Sequence, residues 1–116
     1  MRDYKLDFEV EGKKYSLIFN LNVMQAIQEE YGTVQEWGKL TDKNNGEINA
    51  KALIYGLMVM INEGIEINND DNNLSDPLLT EKQVGRLISK MGIKEAASKL
   101  NTAVVEGTKS DTPKNE

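Results

Sequence analysis

The sequence predicts an α+β fold, in which an N-terminal β-hairpin packs on a mostly helical domain of four to five helices. Two observations carry this prediction: apolar residues alternate between positions 4 and 19, and from position 23 to position 105 they recur at helical spacing. At 116 residues the chain has the length of one domain, which we place at residues 1–106. We expect residues 107–116 to form a disordered polar tail, because they include no apolar residue.

The hairpin prediction rests on two runs with a period of two residues, separated by a short turn that contains Gly12. Their apolar members are Tyr4, Leu6, Phe8, Val10, Tyr15, Leu17 and Phe19. Ile18 falls out of phase, so we expect the second strand to be partly covered on its other face as well. Two strands alone are marginally stable in water, so this hairpin must be packed by helices or completed by a partner's strand.

Capping signals mark the first two helices. We expect one helix over residues 23–31, with Asn22 as its N-cap and Gly32 just beyond its C-terminus. Thr33 and Glu36 have the spacing of a capping box, which predicts a short second helix that ends near residue 40 or 41.

The third helix is predicted to be the central one. Asn49 is its expected N-cap, the helix covers residues 50–63, and Gly64 is its expected stop signal. Residues 53–61 are apolar nearly all round, which indicates burial on more than one side. The stretch 66–77, rich in Asn and Asp, predicts an exposed connection.

Two further helices complete the predicted domain. Thr80 and Gln83 begin a helix that runs to Met91 and stops at Gly92. A last helix follows over residues 94–106.

The composition argues against an enzyme. The chain has no cysteine and no histidine, which removes thiol nucleophiles, the commonest metal ligand and the commonest acid/base group near neutral pH. The acidic stretch around Asp70 and Asp71 lacks the glycine and glutamate positions of an EF-hand. The adjacent carboxylates of Glu29 and Glu30 point about 100° apart on a helix, so they cannot act on one substrate. We therefore expect no catalytic residue, no cofactor and no metal site.

Charge and hydropathy bear on partners and location. A net charge of −5 gives no footprint for nucleic-acid binding. The uncharged stretch at residues 52–62 is too short to span a bilayer, which needs about 20 apolar residues. The N-terminus passes directly into strand alternation without the pattern of a secretory signal, so we expect a cytoplasmic protein that binds neither nucleic acid nor membrane.

One set of residues is a candidate protein-binding surface. Aromatic residues and methionine are favoured at interfaces, and methionine adapts to varied partner surfaces. The candidates are Met24, Trp37, Met58, Met60 and Met91. They fall on helical apolar faces, so packing in the core is the default interpretation and a docking face is the alternative.

The order of these segments resembles a tail assembly chaperone of long-tailed bacteriophages or prophages of low-GC Gram-positive bacteria. The resemblance lies in YKLDFEVEGKKY at 4–15, LIFNLN at 17–22, AIQEEYG at 26–32, NEG at 62–64 and PLLTE at 77–81, extending to Gly85. Its motifs are apolar positions and turn glycines, and it covers roughly residues 4–105.

The resemblance implies a non-enzymatic protein of the host-cell cytoplasm that binds the tape-measure protein during tail assembly. The tail tube protein is a further candidate partner, and self-association is expected. The alternatives are a structural head-tail connector or tail-completion protein, which would remain in the particle, and a small phage regulatory binding protein.

Overall fold

An antiparallel hairpin followed by five helices makes up the folded chain, as predicted. The computed structural model describes residues 4–42 and 44–109. Strand β1 (Tyr4–Val10) pairs with β2 (Lys13–Phe19), and the helices are α1 (Leu21–Tyr31), α2 (Val34–Thr41), α3 (Ala50–Asn72), α4 (Glu81–Met91) and α5 (Ile93–Gly107).

The hairpin closes through a two-residue turn. Glu11 and Gly12 have φ values of 51° and 82°, and this pair of positive angles is typical of a type I′ turn, which matches the twist of the flanking strands. The turn sets the register, with Val10 opposite Lys13 and Tyr4 opposite Phe19. Ile18 is buried, and its Cγ1 faces Gly64 of α3. The prediction that the second strand is partly covered on its other face is therefore confirmed.

Three of the four predicted N-caps are confirmed. Thr33, Asn49 and Thr80 each accept a hydrogen bond from a backbone N–H in the first turn, and Thr80 forms a full capping box with Gln83. The prediction of Asn22 as the first cap is wrong. Asn20 holds that position and accepts from the Val23 N–H at 3.2 Å, so α1 begins at Leu21.

The prediction that α3 ends before Gly64 is wrong, because the helix continues to Asn72. A Cβ at residue 64 would lie 3.3 Å from Cγ1 of Ile18, so this glycine lets the helix approach β2 closely. The helix ends instead at Asn73, which adopts the left-handed conformation with φ of 55°. Of the predicted connection at residues 66–77, only residues 73–77 are non-helical, and the segment that joins α3 to α4 covers residues 73–80.

Two asparagines of α3 hold that connection against the helix. Asn62 donates to the Leu79 carbonyl at 3.0 Å and accepts from the Leu79 N–H at 2.8 Å. Asn69, two turns further on, makes the same pair of bonds with the backbone of Asp76, each at 3.0 Å. These two asparagines of α3 therefore order the connection, which is exposed as predicted except at half-buried Leu79.

Helix α3 lies at the centre of the core and packs on β2, while α5 packs on both strands. The largest fully buried side chains come from β2 and from all five helices: Leu17, Phe19, Val23, Ile27, Trp37, Leu53, Leu57, Met60, Val84 and Leu100. The last helix ends one residue later than predicted. Gly107 is the final residue of α5 and is buried against Phe19. A Cβ at this position would lie 2.9 Å from Cβ of Phe19, so the close contact requires glycine. Of the predicted tail, residues 110–116 lie outside the described residues.

Candidate partner-binding groove

An open groove of about 310 Å³ runs between α1 and α3. The two helices are antiparallel here, because Asn22 lies near Glu63 while Ala26, one turn later on α1, bonds to a residue earlier on α3. Its apolar lining consists of Val23, Ala26 and Val59. We name this site the α1–α3 groove; its polar lining residues are Asn22, Asn62, Glu63 and Glu66.

The apolar part of the groove is graded in depth. Val23 is 2% exposed and belongs to the core, whereas Ala26 and Val59 are half-buried. A side chain that entered the groove would therefore contact aliphatic carbon on both helices. The volume is at the lower end of the roughly 300–1,000 Å³ range of ligand pockets, and it accommodates one or two side chains of a partner.

Glu63 fixes one end of the α1–α3 groove. Its Oε2 accepts hydrogen bonds from Nδ2 of Asn20 at 2.8 Å and from Nδ2 of Asn22 at 3.1 Å, which ties the start of α1 to α3. Both bonds use the same oxygen, and Oε1 accepts no hydrogen bond from residues 4–42 and 44–109. With exposed Glu66 one turn further along α3, this end of the groove is acidic.

Two tyrosines stand beside the other end. The rings of Tyr31 and Tyr55 meet edge to face with centroids 5.8 Å apart, and the Tyr55 hydroxyl donates to the Ala26 carbonyl at 3.1 Å. The Tyr31 hydroxyl is buried and has no hydrogen-bond partner among the described residues. Burial raises the pKa of both phenols above the ordinary value, so both are neutral near pH 7.

Carboxylates surround this aromatic end as well. Glu30 and Glu81 add to the raised pKa of both tyrosines, after burial, because a negative charge nearby opposes ionisation of a phenol. Glu29 acts in the same direction on Tyr55. The groove therefore has an apolar middle between two ends that each carry negative charge. That arrangement fits a partner segment with one or two apolar side chains flanked by basic residues.

The five residues predicted for partner binding do not form one surface. Trp37 and Met60 lie inside the core, 1% and 0% exposed, and the Trp37 Nε1–H donates to the Ala52 carbonyl at 3.0 Å. Met24, Met58 and Met91 are half-buried on α1, α3 and α4 respectively and pack against the core. None of the five lines the α1–α3 groove.

Sequence reasoning missed the residues that do line the groove. Their signal on α3 was the spacing of Val59, Asn62 and Glu66, which fall on one side of the helix at intervals of three and four residues. The groove-lining side of α3 was missed because the helix was predicted to be buried on more than one side and to end before residue 64.

Asp70 and Asp71 lie in the last turns of α3, and residues 4–42 and 44–109 contain no cluster of three or more acidic side chains that could hold a metal ion. Among the same residues, no helix combines the length and the hydropathy needed to cross a bilayer.

Comparison with protein-family models, with curated proteins and with solved structures finds no match to this chain. The fold is a small α+β domain with an open groove between α1 and α3.

Proposed function

We propose that this protein is a phage tail assembly chaperone that binds an apolar helical segment of a tape-measure protein while the tail is being built. The observation that carries the proposal is the α1–α3 groove, with apolar Ala26 and Val59 between acidic ends. The resemblance of residues 4–105 to tail assembly chaperones supplies the identity of the partner.

The physical argument concerns solubility. A tape-measure protein is long, helical and apolar before the tail tube encloses it, so its apolar stripe would aggregate in water. A groove for one or two side chains binds a helix weakly, through anchors at i and i+4. Many copies along one tape-measure protein would cover the apolar stripe. A net charge of −5 on each copy would make the resulting assemblies repel one another.

Co-expression tests the proposal with a matched pair of variants. The probe is a tape-measure fragment that is insoluble when expressed alone. Val59→Asp places a charge in the groove, and Val105→Asp makes the same change at a side chain on α5 that is 47% exposed and outside the groove. We expect the unmodified protein and Val105→Asp to keep the fragment soluble, and Val59→Asp to lose this effect while melting cooperatively.

Two results of the co-expression experiment would contradict the proposal. The first is a fragment that remains insoluble with the unmodified protein, and the second is an equal effect of the two variants. Purified virions provide the complementary measurement. Stoichiometric amounts of this protein in mature particles would replace the chaperone proposal with a structural connector or tail-completion role.

A further inference from the structure

The outer edge of β1 carries backbone groups that β2 does not use. Val10 and Lys13 flank the two-residue turn, so they form a hydrogen-bonded pair. Such pairs alternate with non-bonded pairs along an antiparallel ladder. The N–H and C=O groups of Lys5, Asp7 and Glu9 therefore point away from β2, toward the outer edge.

No other element of the described chain satisfies these groups. Outside the β1–β2 ladder, no hydrogen bond within residues 4–42 and 44–109 involves the backbone of Lys5, Asp7 or Glu9. Helix α5 covers a face of the sheet, where Nζ of Lys99 lies 5.7 Å from the ring centroid of Phe8. No strand among the described residues pairs with this edge of β1, which is seven residues long.

The side chains at this edge are also only partly covered. Tyr4, Leu6 and Val10 share one face of β1 and are half-buried, whereas Leu17 and Phe19 on β2 are fully buried. A third strand next to β1 would cover the half-buried row. Edge strands that remain monomeric are commonly protected by bulges, prolines or charged side chains. The β1 strand has neither a bulge in its register nor a proline, and its exposed charges, Lys5, Asp7 and Glu9, are of both signs.

We propose that the occupant of this edge is a second copy of the chain, with β1 pairing antiparallel to β1 of the partner about a two-fold axis at Asp7. The charges identify the occupant. In that register Lys5 of each copy faces Glu9 of the other, so two opposite-charge pairs form. On the apolar face, Leu6 faces Phe8 and Tyr4 faces Val10.

The pairing creates a four-stranded sheet with the order β2, β1, β1, β2. The backbone N–H and C=O groups of Lys5, Asp7 and Glu9 all point toward the outer edge. In this register each of these residues lies opposite one of the same three residues in the other copy, so three hydrogen-bonded pairs form. Asp7 meets its own copy at the axis. This contact is tolerable because each carboxylate has local partners: the Ser16 hydroxyl donates to Oδ1 at 2.5 Å, and Nζ of Lys5 lies 3.9 Å from the same oxygen. The interface is small, so the dimer should dissociate on dilution.

Charge reversal tests the register. The dissociation constant of the dimer is measured by sedimentation equilibrium at protein concentrations up to about 1 mM, a range that detects weak binding. The side chains of Lys5 and Glu9 are exposed, so the variants should fold normally. We expect a monomer–dimer equilibrium for the unmodified protein. Lys5→Glu and Glu9→Lys should each raise the dissociation constant about tenfold by placing like charges opposite each other, and the double variant should restore it.

A cysteine at the proposed axis gives an independent test, because the chain has no native cysteine. Paired residues in this arrangement have Cα atoms about 5.5 Å apart, within the range for a disulfide. Asp7→Cys should form a disulfide-linked dimer on mild oxidation, and Lys14→Cys, an exposed site on β2, should do so far more slowly.

Three results would overturn the self-pairing. They are a monomer at every concentration, a double charge variant that dimerises as weakly as the single variants, and equal cross-linking of the two cysteine variants. These measurements use no tape-measure fragment, so their outcome is independent of the proposed chaperone function.

Discussion

Two tyrosines that touch each other differ in one hydrogen bond. The Tyr55 hydroxyl donates to the Ala26 carbonyl, whereas the Tyr31 hydroxyl is buried without a partner among the described residues. A satisfied hydroxyl contributes a net stabilisation on the order of 1 kcal/mol, and an unsatisfied one retains its desolvation cost. The same chemical deletion should therefore have opposite effects at the two positions.

We predict that Tyr55→Phe lowers the free energy of unfolding by about 1 kcal/mol, and that Tyr31→Phe leaves it unchanged or raises it by up to about 1 kcal/mol. Urea unfolding followed by circular dichroism measures both. Each variant keeps the ring and its edge-to-face contact, so each controls for the other. An equal loss of stability in the two variants would mean that the Tyr31 hydroxyl has a hydrogen-bond partner in solution.

At the scale of single elements, two helical glycines have opposite surroundings. A Cβ on Gly56 of α3 would lie 2.3 Å from Cζ2 of Trp37 and 2.9 Å from Cδ1 of Leu100, whereas a Cβ on Gly38 of α2 would meet nothing within 4 Å. Trp37 cannot move away freely, because its Nε1–H is bonded to the Ala52 carbonyl. Gly56 is therefore required for α2 and α3 to approach each other, and Gly38 is not.

We predict that Gly56→Ala lowers the free energy of unfolding by about 1–3 kcal/mol, the usual cost of overpacking a core. Gly38→Ala should raise it by about 0.5–1 kcal/mol, because alanine loses less conformational entropy than glycine inside a helix. Thermal and urea melts of the two variants give both values. If the Gly56 variant proved as stable as the unmodified protein, the close approach of α2 and α3 would not exist in solution.

The sequence was informative wherever the determinant was local. Thr33, Asn49 and Thr80 were predictable as caps because a cap needs only a side-chain oxygen and a backbone N–H three residues later. Gly64 misled the prediction because its role depends on Ile18, which is distant in sequence. Asn73 could not be singled out as the end of α3 among the many asparagines near it.

The candidate site was less predictable than the fold. A groove between helices depends on how α1 and α3 cross, and neither helix contains that information alone. Trp37 and Met60 have the composition of interface residues, yet they are buried, because aromatic and methionine side chains fill cores as readily as they bind partners. The negative charge at both ends of the groove became apparent only when residues from α1, α3 and α4 were placed together.

At the scale of the whole molecule, the C-terminal end of α5 is joined to the hairpin. Gly107 packs against Phe19, and the Thr108 N–H donates to the Val104 carbonyl at 3.0 Å to close the last turn. The folded unit therefore extends beyond residue 106, which is the boundary that composition alone predicted. Residues 110–116 are polar throughout and offer no apolar surface for a core.

We predict that truncation after Lys109 leaves the free energy of unfolding within about 0.5 kcal/mol of the full chain, the usual scale for changes away from packed features. Truncation after Glu106 should lower it by more than about 1 kcal/mol, because it removes the final helical hydrogen bonds and uncovers Phe19. Differential scanning calorimetry of the two truncated chains beside the full chain makes the comparison. The two shortened chains differ only in residues 107–109, so a difference between their stabilities measures the Gly107 contact with the hairpin together with the last helical hydrogen bonds. If instead both truncations cost the same, the contact between α5 and Phe19 contributes nothing, and the folded unit ends at residue 106.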